Sequence, residues 1–185
     1  MRTPPRLVLS LAVLAAMPAA AAGQIPADFA QKAQAGAPAA ISAKSTIAHI
    51  DVAGKAVHVV RQGTNGFTCS LMPDSSDAPF CADAQGWQFL VDALLGKPKP
   101  TSTAPGVGYM AAGGMHFELP DGQIVMAPGP NTKAVQEPPH WMLLWPVDAA
   151  TSGLPTKATA PTYIMFAGTP FAHLMVYQDP AAIVK

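Results

Sequence analysis

Proline sets how long any element of this chain can be. Twenty of the 185 residues are proline, which cannot donate to a β-ladder and breaks a helix interior. The apolar run at residues 140–145 lies between Pro139 and Pro146, a length that suits a buried strand and not a helix. Residues 107–110, 123–126, 163–166 and 172–177 are similar short stretches, the second started by the Asp121-Gly122 turn. Near the start, residues 47–52 alternate in polarity and 53–55 turn the chain into 56–61, where Val57, Val59 and Val60 favour a strand. That is a hairpin, with His49 and His58 in its two strands, either close across the ladder or simply on its surface. One stretch reads as a helix. From Ala82 to Leu95, the residues Trp87, Leu90, Val91, Leu94 and Leu95 recur at helical spacing, and Gly96 with Pro98 stops them. Lys97-Pro98-Lys99-Pro100 follows as an extended connector. No internal repeat is present. Strands that cluster instead of alternating with helices predict an α+β fold: a mainly antiparallel sheet with one substantial helix packed on it, forming a single domain over residues 46–185.

The amino terminus reads as an address. Arg2 and Arg6 precede an apolar run at residues 7–16, Pro18 breaks it, and Ala20-Ala21-Ala22 offers a cleavage site after Ala22. The run is too short to span a bilayer, and no later segment is long and uncharged enough, so stable membrane insertion is not expected. A periplasmic or secreted protein with a cleaved signal peptide follows. Removing residues 1–22 leaves 163, enough for one domain with a real core. Residues 23–45, rich in Ala, Gln, Gly and Pro, read as a mobile leader, since residues 28–34 have few apolar anchors and Gly36 with Pro38 interrupts them. Without the leader arginines the chain has 9 Lys and Arg against 11 Asp and Glu. No basic face is available, which argues against a nucleic-acid partner.

Cys69 and Cys81 are the only cysteines. In an oxidising compartment they are expected to pair, stapling the turn-rich segment that holds Pro73, Asp74, Asp77 and Pro79. A redox pair would usually be C-x-x-C, and a zinc site would need two more ligands nearby.

Five segments carry a resemblance: Gly63-Thr64-Asn65-Gly66-Phe67-Thr68-Cys69, Pro79-Phe80-Cys81, Gly106-Val107-Gly108-Tyr109-Met110, Pro139-His140-Trp141-Met142, and Ala167-Gly168-Thr169-Pro170-Phe171-Ala172-His173-Leu174-Met175. Together, over residues 47–176, they resemble a group of bacterial secreted proteins with no assigned activity. The resemblance implies a single domain, a paired Cys69 and Cys81, and histidine segments that belong to a common scaffold. Where that group has an Asn- and Asp-rich segment after the double glycine, this chain has Met115-His116-Phe117-Glu118-Leu119.

Two H-x-M segments stand out as candidate chemistry: His140-Trp141-Met142 and His173-Leu174-Met175. Residues two apart in a strand share a face, so each segment presents an imidazole with a thioether. Paired, such strands could assemble two nitrogens and two sulfurs, a donor set suited to copper, particularly Cu(I). Met115, His116 and Met126 are further potential ligands. Both segments are also apolar, a setting in which Met fills core gaps and His bonds a backbone carbonyl. A hydrolase is the third reading, with His140 or His173 as general base beside Asp148, Glu137 or Asp179. Neither G-x-S-x-G, H-E-x-x-H nor a Walker loop occurs, and the glycines at residues 106–114 suit a bent strand better than a dinucleotide loop. The leading expectation is a binding or structural domain of the bacterial periplasm, with a contact patch around Trp141, Trp145 and Tyr163 and no established cofactor. Convergence of His140, Met142, His173 and Met175 in the fold is what separates these readings.

Overall fold

The computed structural model describes residues 25–184; the signal peptide expected at residues 1–22 lies outside them. Eleven strands and five helices follow in the order α1 (Phe29–Gln34), α2 (Ala39–Ser42), β1 (Thr46–Asp51), β2 (Ala56–Arg61), β3 (Thr68–Leu71), β4 (Pro79–Ala82), α3 (Ala84–Leu94), β5 (Gly106–Met110), β6 (Gly114–Glu118), β7 (Ile124–Val125), β8 (Lys133–Glu137), β9 (His140–Leu144), α4 (Ala149–Ser152), β10 (Thr162–Met165), β11 (His173–Val176) and α5 (Pro180–Ile183). Eight strands form one sheet in the order β10-β11-β9-β5-β4-β3-β1-β2, and β7-β6-β8 form a second, smaller one. Every pairing is antiparallel except β1 with β3. The class is α+β, and α3 is the one long helix among the described residues.

Alternation along the strands divides the core into two. Phe80, Met110, Met142, Leu144, Tyr163 and Met175 join one cluster with Phe89 and Val91 of α3. Ile47, Cys69 and Cys81 join the other, with Phe29, Ala33 and Ala37. Neighbours on β4 contribute to different clusters, as a period of two requires. The large sheet is therefore sandwiched, with α3 on one face and α1 on the other.

Asp83 caps α3, accepting from Gly86 N at 2.8 Å and from Val107 N at 3.1 Å. This ties the helix start to β5. A Cβ on Gly106 would sit 1.9 Å from Gly86 N, so the glycines of β5 permit close helix packing instead of forming a phosphate loop. At the other end, Asp92 is wholly buried and accepts from Gln88 Nε2 at 2.7 Å, Thr101 N at 2.5 Å and Thr101 Oγ1 at 2.7 Å, with Lys97 Nζ at 2.7 Å. Burial raises its pKa, but these four donors hold it below the usual carboxylate value. The 97–101 connector is thereby anchored to the helix it follows.

One expectation changes. The segment read as a mobile leader carries α1 and α2, and Phe29 and Ala33 are buried against the sheet. Two anchors one helical turn apart suffice because a long-range partner, the Cys69–Cys81 face, is waiting for them. Cys69 on β3 and Cys81 on β4 are register partners joined by a disulfide that staples the turn-rich segment between them. No described helix is long and apolar enough to cross a membrane.

Candidate functional site

The two sheets meet where β8 passes into β9. Pro138 and Pro139 separate Glu137, the last residue of the small sheet's β8, from His140, the first of β9. Both side chains are buried. In β6, His116 shares a face with Glu118, and its ring spans two carboxylates: Nδ1 lies 2.9 Å from Glu137 Oε1 and Nε2 2.9 Å from Glu118 Oε1. Tyr163 and Tyr177 donate to the same Glu137 oxygen at 2.9 and 3.1 Å, their hydroxyls 2.9 Å apart. Lys133 Nζ reaches Glu118 Oε2 at 3.2 Å. Burial alone would push His116 down, but the hydrogen bonds to Glu137 and Glu118 reverse this and hold it above the ordinary imidazole value. Burial likewise pulls Glu137 up, and His116, His140 and Tyr163 bring it below the usual carboxylate value. The result is an imidazolium between two carboxylates, a satisfied buried ion network. Burial keeps the Tyr163 phenol far above its ordinary pKa, so it stays a donor.

The two H-x-M histidines share one local arrangement. His140 Nδ1 donates to Pro138 O at 2.7 Å and His173 Nδ1 to Phe171 O at 2.9 Å, each the carbonyl two residues back. This fixes the tautomer and leaves each Nε2 as a bare lone pair. Both Nε2 atoms are buried without a hydrogen-bond partner; that of His140 stands 3.9 Å from Glu137 Oε2. Burial depresses both histidines, that of His173 to about 4, so each is neutral at pH 7. Phe89 and Phe166 edge the His173 ring at 5.7 Å.

Register decides what these groups can share. β9 and β11 are adjacent and antiparallel, and Met142 faces Met175 directly. Counting outward, His140 falls opposite Tyr177 and His173 opposite Leu144, at opposite ends of the pair. At about 3.4 Å per residue and 4.8 Å between strands, their Cβ atoms are roughly 14 Å apart. The two methionines face each other across the strands and the imidazoles do not, so the four groups do not converge on one point. The sequence did not suggest Met110, yet it is the β5 partner of His140. Its Sδ and Glu137 Oε2 both crowd Gly114, lying 3.2 and 3.0 Å from where a Cβ would stand. Alternation in β5 was the available signal.

Other candidates are placed elsewhere. His116 is occupied by its carboxylates, Met115 is half-buried and Met126 is exposed. Asp148 and Asp179 cap α4 and α5, accepting from Ala150 N and Ala181 N. Only Glu137 of the three proposed acids lies beside a histidine. His140 and His173 are 0% and 3% exposed, so no substrate reaches either without opening the core.

Four of the seven exposed large apolar side chains among the described residues lie at the far end of the large sheet. Tyr163 is buried and Trp141 half-buried, its Nε1 donating to Gln178 Oε1 at 3.3 Å. Of the patch expected there, only Trp145 is exposed. Val52, Val57, Val59 and Val60 are all exposed instead, Val59 by 60%. They belong to the β1–β2 hairpin, whose outer strand β2 is an edge of the large sheet. The opposite edge, β10, is covered by the loop before it, where Ile164 N donates to Pro155 O at 2.8 Å. Compared with family models, curated proteins and solved structures, the chain matches none.

Proposed function

We propose that this chain is an exported, non-catalytic binding domain that receives an extended segment of another polypeptide along the open edge at β2. The observation that carries this reading is the run of exposed β-branched residues on an uncovered edge strand, where backbone groups give affinity and alternate side chains give specificity. Export is supported by the amino-terminal pattern and by the disulfide. A photo-crosslinking residue at Val59 in cells producing the native protein should give a discrete heavier adduct, while one at Ile183 gives none. Equal labelling at both positions, or at neither, removes the reading. Mass spectrometry of the same material should find a chain starting at Gly23 with Cys69 and Cys81 linked.

A second reading is a soft-metal site in the core. It is favoured by the unpartnered Nε2 atoms of His140 and His173, whose strands carry the register pair Met142–Met175, with Met110 the register partner of His140, since ligand histidines are commonly fixed through their other nitrogen. One Cu(I) would use His140 or His173 with the methionines, never both histidines. Met142→Leu with Met175→Leu, a volume-conserving pair, should weaken Cu(I) in a competition titration at least a hundredfold. Unchanged affinity eliminates copper.

A further inference from the structure

We propose, resting on the edge-binding reading, that the segment received at β2 is acidic: an extended strand whose side chains alternate between β-branched and carboxylate, with one carboxylate held in a basic cleft between Lys44 and Arg61. The hairpin register sorts the exposed side chains of β2 into two sets. Val57 and Val59 are the partners of Ile50 and Ala48 and share their face, whereas His58, the partner of His49, leaves the other. The pairing then slips by one residue, so that Arg61, and not Val60, faces Ile47. This irregularity leaves Val60 without a partner and turns Arg61 onto the face of His58. One side of the edge is therefore apolar and the other basic, and a strand laid along it meets the two with alternate residues.

The basic end is firmly built and its charge is not neutralised. A cleft of about 280 Å³ opens where the chain leaves β2, lined by Lys44, Ser45, Arg61, Gln62 and Thr64, and none of the residues lining it is acidic. Its walls are tied together, since Thr64 N donates to Lys44 O at 2.8 Å and Gly63 N to Thr46 Oγ1 at 3.0 Å. Arg61 Nη2 donates to Ser45 O at 3.1 Å, which positions the guanidinium and leaves its other N–H groups for an incoming carboxylate. Among the described residues, neither Lys44 nor Arg61 forms a salt bridge. The hairpin's own acid, Asp51, is engaged at the turn, where Oδ1 accepts from Gly54 N at 2.9 Å and Oδ2 stands 4.0 Å from His58 Nε2. Along β1 it lies about 14 Å from Ile47, the partner of Arg61, beyond the roughly 8 Å over which exposed charges act at physiological salt. A second copy of β2 would bring valines and another arginine to this edge, but no carboxylate for the cleft. An acidic strand satisfies both faces at once.

The test is fluorescence anisotropy of a labelled, end-blocked peptide, Thr-Glu-Val-Glu-Val-Glu-Thr, titrated with the tag-free mature chain. Binding should be saturable, should weaken by about tenfold or more when glutamines replace the glutamates, and should weaken again when NaCl is raised from about 50 to about 500 mM. Lys44→Gln and Arg61→Gln should each weaken the glutamate peptide by about fivefold and leave the glutamine peptide unmoved. Lys44 is exposed, so its variant keeps the fold even if loss of the Arg61–Ser45 contact loosens the hairpin. Equal affinity for the two peptides, no saturable binding of the glutamate peptide, or native-like affinity in both variants overturns the acidic partner, as does a dimer in light scattering that Val57→Lys dissociates. A discrete in-cell adduct at Val59 alongside equal affinity for the two peptides leaves the edge-binding reading standing, which separates the two failures.

Discussion

The two edges of the large sheet are finished differently. At β10 a proline-rich loop returns over the strand, residues 163–165 are buried, and Tyr163 enters the Glu137 network. At β2 nothing described covers the strand, and residues 57–61 are all exposed. Proteins usually blunt an open edge with lysine, proline or a covering element. Here β10 has the covering element, whereas β2 has valines, one arginine and a bulge between Ile47 and Ala48 on its partner. One edge is built for stability, and the other leaves its pairing capacity unused.

The contrast can be broken by mutation, and the covered edge should give the largest effect. Tyr163→Ala removes a buried ring and leaves Glu137 short of a donor, so urea unfolding should show a loss of about 4 kcal/mol. Acid should come next. His173 is depressed in the folded state, so the unfolded chain binds more protons below its ordinary value of 6.5. Stability is then complete above that pH and falls between 6.5 and about 4. The loss should reach about 3 kcal/mol near pH 4, with His140 acting in the same direction. His173→Asn, which keeps a donor for Phe171 O, should flatten the slope of stability against pH. Tyr177→Phe removes one of several donors to Glu137 and should cost about 1 kcal/mol. Smallest of all, Val57→Lys should change stability by less than about 0.5 kcal/mol while abolishing the adduct formed by a crosslinking residue at Val59. A large destabilisation there would mean that β2 belongs to the core after all.

What the sequence disclosed follows where local pattern and burial agree. The β1–β2 hairpin, α3 and the strands β5, β9, β10 and β11 show either alternation or short apolar runs between turn residues. Strands β3, β4, β6 and β8 do not. Lys133-Ala134-Val135-Gln136-Glu137 is largely polar and exposed, and is a strand only because β6 pairs with it. Helix α1 forms around Phe29 and Ala33, whose partners lie on strands far along the chain. Within the site, the shared face of each H-x-M pair was legible because it depends on a period of two. The β9–β11 register was not, since the sequence does not say which residues face each other across strands. Nor did it join His116, Glu137 and Tyr163, which three separate strands bring together.

The crosslink between β3 and β4 imposes an order on assembly. Both sulfur-bearing residues are completely inaccessible, and α1 packs over them. An oxidising catalyst must therefore reach the thiols while residues 29–34 are still undocked. Helix α1 is then among the last elements to settle, acting as a shutter that afterwards shields the bond from reductants.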